Sequence, residues 1–163
     1  MNDIVEITEA RSEATFNEWR AEEVARAGGD TNVSLTSCHG FAEMANKAGD
    51  KIRLAAFDAA NQNILGICTG VVVVSRRQKR LELAQLYVKF DARGGGIAQA
   101  LVEAVKNVAV IQFGATNVAL GVGLQEQLPT LGFWQRFGFD RVHENKPAIT
   151  AVPMHIELMF WHA

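Results

Sequence analysis

The sequence predicts an α/β domain in which antiparallel strands come first and one long crossover helix joins two later strands. Three observations predict it. Apolar runs of strand length alternate with amphipathic helical stretches along the chain. The runs at 51–58, 64–75 and 81–88 are separated by connections short enough for hairpins. A run of three glycines at 94–96 then leads from the last of these strands into a helical pattern.

Ile4 to Thr8 opens the chain as a short strand. Glu13 to Ala27 carries Phe16, Trp19 and Val24 on one side of a helix, which Gly28-Gly29-Asp30 ends. A shorter helix is expected near Gly40 to Ala48, ended by Gly49-Asp50. Lys51 to Asp58 and Ile64 to Ser75 are strands joined through Ala59-Ala60-Asn61-Gln62-Asn63. Arg76 to Arg80 reads as a basic turn, and Leu81 to Val88 as the next strand. Gly96 to about Phe113 is the long helix, and Asn117 to Gly123 the strand after it. Pro129 suits the first turn of a helix running to Phe137, with Phe133, Trp134 and Phe137 on one apolar face. Gly138 supplies the left-handed residue that stops this helix, and Phe139 packs back on it. Val152 to Trp161 is the last strand. No repeat, low-complexity segment or linker interrupts the series, so residues 1–163 are expected to form a single domain.

Composition agrees with an ordinary globular chain, 48% hydrophobic and 21% charged. A net charge of −2 gives no global electrostatic case for nucleic acid or an anionic membrane. No apolar stretch approaches the length of a membrane span. Cys38 and Cys68 lack metal-ligand spacing and suggest buried thiols in a reducing compartment. The opening Met1 to Glu6 lacks a secretory pattern, so a cytoplasmic location is expected. His143 and His155 are not spaced as metal ligands, and no metal site is expected. His155 and Glu157 share one face of the last strand, which suits either an acceptor pocket or a half-exposed edge.

The segment Leu86 to Leu101 carries most of the functional information. A strand, a short polar turn, the glycine loop and a helix start place several backbone N–H groups and a positive dipole end at one spot. That is a seat for a phosphate or pyrophosphate. The dinucleotide fingerprint would need Gly or Ala where Gln99 stands, and a P-loop would need Gly-Lys-Ser/Thr where Gly96-Ile97-Ala98 stands. What remains, Arg93-Gly94-Gly95-Gly96-Ile97-Ala98, fits R-x-x-G-x-A and resembles the acyl-CoA-binding motif of the GNAT family of N-acetyltransferases. About forty residues on, Leu131 to Asp140 is similar to that family's F-Y-x-x-x-G-F helix end. The resemblance covers roughly residues 50–163.

The resemblance implies a mixed, mostly antiparallel central sheet flanked by helices and splayed between the Leu81 and Asn117 strands. Acyl-CoA would enter that wedge, with acetyl-CoA as the donor cosubstrate. Its pantetheine arm would pair with the backbone at Leu86, Tyr87 and Val88. Its pyrophosphate would sit on Arg93, Gly94, Gly95, Gly96, Ile97 and Ala98; the family accepts Gln in place of Arg93, so the loop backbone counts for more than that side chain. Gln127 stands where the family has Asn, and Trp134 where it has Tyr; both remain donor-site candidates.

Aminolysis of a thioester needs a base for the amine and a way for the thiolate to leave. Glu82 is the candidate base: it lies on the strand leading to the loop, eleven residues before Arg93, where the resemblance to histone-acetyltransferase relatives, their longer turn allowed for, implies a catalytic glutamate. Alternation puts Glu82, Ala84, Leu86 and Val88 on one face. The competing reading is a glutamate that is solvated or paired with the basic turn Arg76 to Arg80. An indole N–H cannot donate a proton at neutral pH, so Trp134 leaves the acid open. Tyr87 or a water donates, the thiolate leaves unaided, or the chain binds acyl-CoA without efficient turnover. Tyr87 also reads simply as strand packing, and Cys68 has no activating base nearby in sequence.

The function implied is direct transfer of acetyl from acetyl-CoA to a primary amine, on a small molecule or a peptide. The alternative is a non-catalytic acyl-CoA-binding module of the same fold, serving as a sensor or assembly element. A nucleotide-binding protein of unrelated α/β fold is a third class. A homodimer is common among look-alikes, and the apolar final strand with Phe160 and Trp161 would suit it; burial within one subunit explains those residues equally well.

Overall fold

The computed structural model describes residues 2–26, 28–29, 48–75, 77–123, 134–136, 138–147 and 155–162. Seven strands form one sheet: β1 (Asp3–Glu6), β2 (Asp50–Phe57), β3 (Ile64–Ser75), β4 (Gln78–Val88), β5 (Asn117–Gly123), β6 (Asp140–Pro147) and β7 (His155–His162). Helix α1 (Glu9–Arg26) follows β1, and α2 (Ile97–Phe113) crosses from β4 to β5. The strand order is β1-β2-β3-β4-β5-β7-β6. Every neighbouring pair is antiparallel except β4–β5, which is what a helical crossover requires. The expected helix near Gly40 to Ala48 lies, but for Ala48, outside the described residues, as do Cys38 and Gln127.

The sheet is covered on both faces. Along β2, Ala55 packs with Phe16 and Trp19 of α1, whereas Leu54 and Ala56 belong to the cluster built on Leu101, Val102 and Val105 of α2. Alternate residues point to opposite faces, so the two helices sandwich the sheet. Fully buried Leu101 and Phe16 each stabilise the fold by roughly 2–3 kcal/mol relative to exposure.

Local chemistry moved several boundaries. Thr8, expected in the first strand, caps α1 instead: its Oγ1 accepts the Arg11 N–H at 3.2 Å, so the helix starts four residues before the expected Glu13. Gln78, Lys79 and Arg80, expected in a turn, pair with Ser75, Val74 and Val73. The hairpin closes tightly through Arg77 in the left-handed region, φ 67°. β6 was not foreseen; its sequence DRVHENKP is polar and ends in proline, which an edge strand tolerates.

Cys68 lies in the α2-side core and is fully buried, which pushes its thiol up to about 12. A buried group kept protonated in the native state gives stability that is complete below its unfolded value of 9.0 and declines as pH rises toward about 12. We therefore expect unfolding free energy to fall above about pH 9, at up to ~1.4 kcal/mol per pH unit. Cys68→Ala should lower stability near neutrality and flatten that alkaline limb in urea titrations. An unchanged limb would assign the decline elsewhere.

Candidate functional site

The last pair between the parallel strands is Glu82 with Ala119, and among the described residues the β4–β5 ladder stops there. A bulge follows at once. Gly70 of β3 pairs with Leu83 and Thr69 with Gln85, leaving Ala84 as the extra residue. Such an insertion bends and twists the strand, and it falls just where the β4–β5 pairing ends. Gly70 permits it: a Cβ there would meet Glu82 O at 2.9 Å and Leu81 Cδ1 at 2.8 Å. The end of pairing between these two strands thus coincides with one glycine and one extra residue.

The bulge also changes which side chains share a face. Cross-strand partners lie on one face of a sheet. Glu82 pairs with Val71, Gln85 with Thr69 and Tyr87 with Ile67, and Ile67 packs in the α1-side cluster. Leu81, Leu83, Leu86 and Val88 belong to the α2-side cluster. The expected grouping of Glu82 with Leu86 and Val88 is therefore corrected. Uninterrupted alternation does not survive the inserted residue, and Glu82 lies on the face of Gln85 and Tyr87.

Glu82 sits at the apex of the opening. Arg80 NH2 meets its Oε1 at 2.7 Å. This is the pairing with the basic segment that the sequence set against a base role, and it engages one of the two carboxylate oxygens. Beside it on the same face, the Thr69 hydroxyl donates to Gln85 Oε1 at 2.8 Å, both residues being buried. No sequence signal pointed to that pair, because the partners are brought together only by the β3–β4 register.

Tyr87 lies roughly 13 Å farther along β4, at about 3.3 Å per residue. It packs between Trp19 (ring centroids 5.1 Å) and Phe16 (6.4 Å) of α1. Its hydroxyl donates to Glu23 Oε1 at 2.5 Å. Burial first, then the Glu23 hydrogen bond and charge, drive its phenol well above the ordinary value. That makes it a weaker acid and keeps it distant from Glu82. Its main chain also faces away from the wedge. Lys89 N–H donates to Leu65 O at 2.8 Å, so Lys89 and Tyr87 turn their backbone groups to β3. Leu86 and Val88 turn theirs to the open edge. Of the three residues expected to pair with an extended ligand arm, Leu86 and Val88 thus turn backbone groups to the open edge, and Tyr87 turns its own to β3.

The loop after β4 makes one 3₁₀ turn over Phe90–Ala92, with Ala92 N–H bonded to Lys89 O and Arg93 N–H to Phe90 O. Gly94 has φ +86° and Gly96, the N-cap of α2, has φ +78°. No atom lies within 4 Å of a Cβ built at either position. The first bond of α2 is Ala100 N–H to Gly96 O, so the preceding N–H groups at this end are the orphan donors of a helix start. Ile97 and Ala98 begin the helix, and Ile97 anchors it in the core. Glycine backbone with open space beside it at a helix start is the kind of arrangement that can receive a phosphate group.

Arg93 is turned back toward β4 and α1. Its Nε donates to Val88 O at 3.0 Å, its NH2 lies 3.8 Å from Glu23 Oε1, and its guanidinium lies over the Tyr87 and Phe90 rings. Glu23 also pairs with Arg26 at 3.1 Å. Sequence reasoning missed Glu23, because sixty-four residues separate it from Tyr87.

Trp134 lies in the helical turn at 134–136; residues 129–133 and 137 of the expected helix lie outside the described residues. Gly138 has φ 81°, and the bonds Phe139 N–H to Trp134 O and Gly138 N–H to Gln135 O form the Schellman closure expected from the sequence. The Trp134 and Phe139 rings meet edge to face at 5.3 Å, both buried in the α2-side core. Cys68 is buried in the same core. His143 and His155 fall on β6 and β7; among the described residues no cluster of three His, Cys, Asp or Glu could hold a metal. No described helix is long and apolar enough to cross a membrane.

The sequence pattern of the acetyltransferase (GNAT) family matches residues 6–139. Comparison with curated protein sequences finds no significant match. Among solved structures, Arabidopsis thaliana NAA60 in complex with acetyl-CoA is similar at TM-score 0.69 and 16% identity, covering 100% of both chains. The spermidine N-acetyltransferase of Vibrio cholerae in complex with CoA and spermine is similar at TM-score 0.67 and 13% identity, covering 99% of this chain and 95% of that one. At such identities the likeness concerns the fold.

Proposed function

Because the chain belongs to the GNAT acetyltransferase family, we propose that it moves the acetyl group of acetyl-CoA directly to a primary amine on a small molecule or a peptide. The observation that carries this reading is the conjunction of the end of β4–β5 pairing at Glu82 with the open, left-handed glycine loop at the start of α2. When bound, acetyl-CoA supplies an activated thioester. The N–H groups of Gly94, Gly95, Gly96, Ile97 and Ala98 would hold its pyrophosphate, and the Leu86 backbone with the Val88 N–H its pantetheine arm, Val88 O being held by Arg93. Glu82 projects from the apex to the α1 face, opposite α2, so the amine approaches from that side. Glu82 takes the amine's proton, directly or through a water.

Trp134 can donate a hydrogen bond but no proton, and Tyr87 is committed to Glu23. The thiolate therefore leaves unaided or is protonated by water, which suits a thiol that is already weakly acidic. Relatives by fold act on spermidine and bear acetyl-CoA, which supports an amine acceptor without choosing one. Burial of Trp134 where a hydroxyl would serve favours a second reading, a module that binds acyl-CoA without turnover. Calorimetric titration with acetyl-CoA, followed by thiol release against polyamines, amino acids and peptide N-termini, separates them. Binding with release supports transfer; binding without release from any amine supports the module; no binding removes both.

A further inference from the structure

The geometry points to Arg93 as a positioning residue that acts through its Nε on Val88, not as a charge that grips phosphate. The inference rests on the acyl-CoA reading of the loop. Val88 O is on the open edge of β4, and Arg93 Nε reaches it at 3.0 Å. That bond closes the segment 88–93 around the 3₁₀ turn, whose own bonds run from Ala92 to Lys89 and from Arg93 to Phe90. The closure sets where Gly94 begins and hence where the N–H groups of the glycine loop aim. The charge is occupied elsewhere. Glu23 faces Arg93 at 3.8 Å and Arg26 at 3.1 Å while accepting from Tyr87. The guanidinium lies over two aromatic rings at 5.2 and 5.4 Å.

Arg Nε and the amide nitrogen of Gln are both bonded to Cδ, so glutamine can make the Val88 bond without a charge. Lysine keeps the charge and places a methylene at that position. The two roles therefore predict opposite rankings. Positioning predicts that Arg93→Gln keeps acetyl-CoA affinity within about twofold, whereas Arg93→Lys and Arg93→Met each weaken it about tenfold, the order expected for one hydrogen bond. A phosphate contact predicts that Arg93→Lys retains affinity and Arg93→Gln loses it.

Amide hydrogen exchange without ligand at Ala92 and Ala100, whose N–H groups donate to Lys89 O and Gly96 O on either side of the glycine loop, provides an arm independent of acetyl-CoA. Protection matching the wild type in Arg93→Gln, with faster exchange in Arg93→Lys, is expected. The lysine variant binding as wild type while the glutamine variant fails would overturn the inference, and so would indifference of loop exchange to all three substitutions. Failure of the wild type to bind acetyl-CoA while the exchange ranking holds would count against the donor reading and leave the positioning role standing.

Discussion

Gly96→Asp is expected to reduce acetyl-CoA affinity by about a thousandfold while the chain still unfolds cooperatively. A carboxylate at the α2 N-cap would stand in the seat where the loop's N–H groups converge. Two unit charges about 4 Å apart repel by roughly 4 kcal/mol at an effective dielectric of 20, about three decades in affinity. The fold should tolerate the change. No atom lies within 4 Å of an added Cβ, although φ is +78°, and Asp is among the few residues that enter the left-handed region, at a cost of roughly 1–2 kcal/mol. Gly96→Asn shares the backbone demand without the charge and should lose much less affinity. Calorimetry on both variants with parallel urea melts reads the result. Undiminished affinity in a cooperatively folded Gly96→Asp protein would remove the loop from the donor site.

Glu82→Gln is expected to lower kcat about 10²–10³-fold with whichever amine supports thiol release, as loss of a general base does. The KM for acetyl-CoA should move by no more than about twofold, because Glu82 lies at the apex and not on the glycine loop. The ion pair with Arg80 supplies the control. A pair of this kind, with side chains 28% and 20% exposed, contributes at most about 1 kcal/mol. Arg80→Met breaks the same pair and leaves the carboxylate. If Glu82 serves only to hold Arg80, the two variants should match in stability and turnover. If it serves as base, Glu82→Gln alone loses kcat. A kcat within about threefold of the wild type would retire Glu82 from the mechanism.

Most of the fold was legible because its signals are local. The apolar runs at β2, β3 and β4, the amphipathic α2 and the αL stop at Gly138 each depend on a few adjacent residues. Errors arose where one residue had two local uses. Thr8 is as good a cap as a strand end, and Gln78 to Arg80 are polar enough for a turn yet pair with β3. β6 escaped notice because its sequence, DRVHENKP, shows no apolar alternation.

The site was legible in part for the same reason. Gly94 and Gly96 announce a left-handed loop at a helix start because freedom to adopt a positive φ is written in the residue itself. The α/β succession, the crossover helix and the glycine loop followed from the sequence by itself, since each is specified within one turn or one strand pair. The inserted residue at Ala84, the face on which Glu82 stands, the capture of Tyr87 by Glu23 and the turn of Arg93 onto Val88 were decided only by tertiary structure. Bulges, faces and ion-pair hubs depend on which strand or helix lies alongside. A one-residue shift in pairing sends a side chain to the opposite face, and no local preference records it.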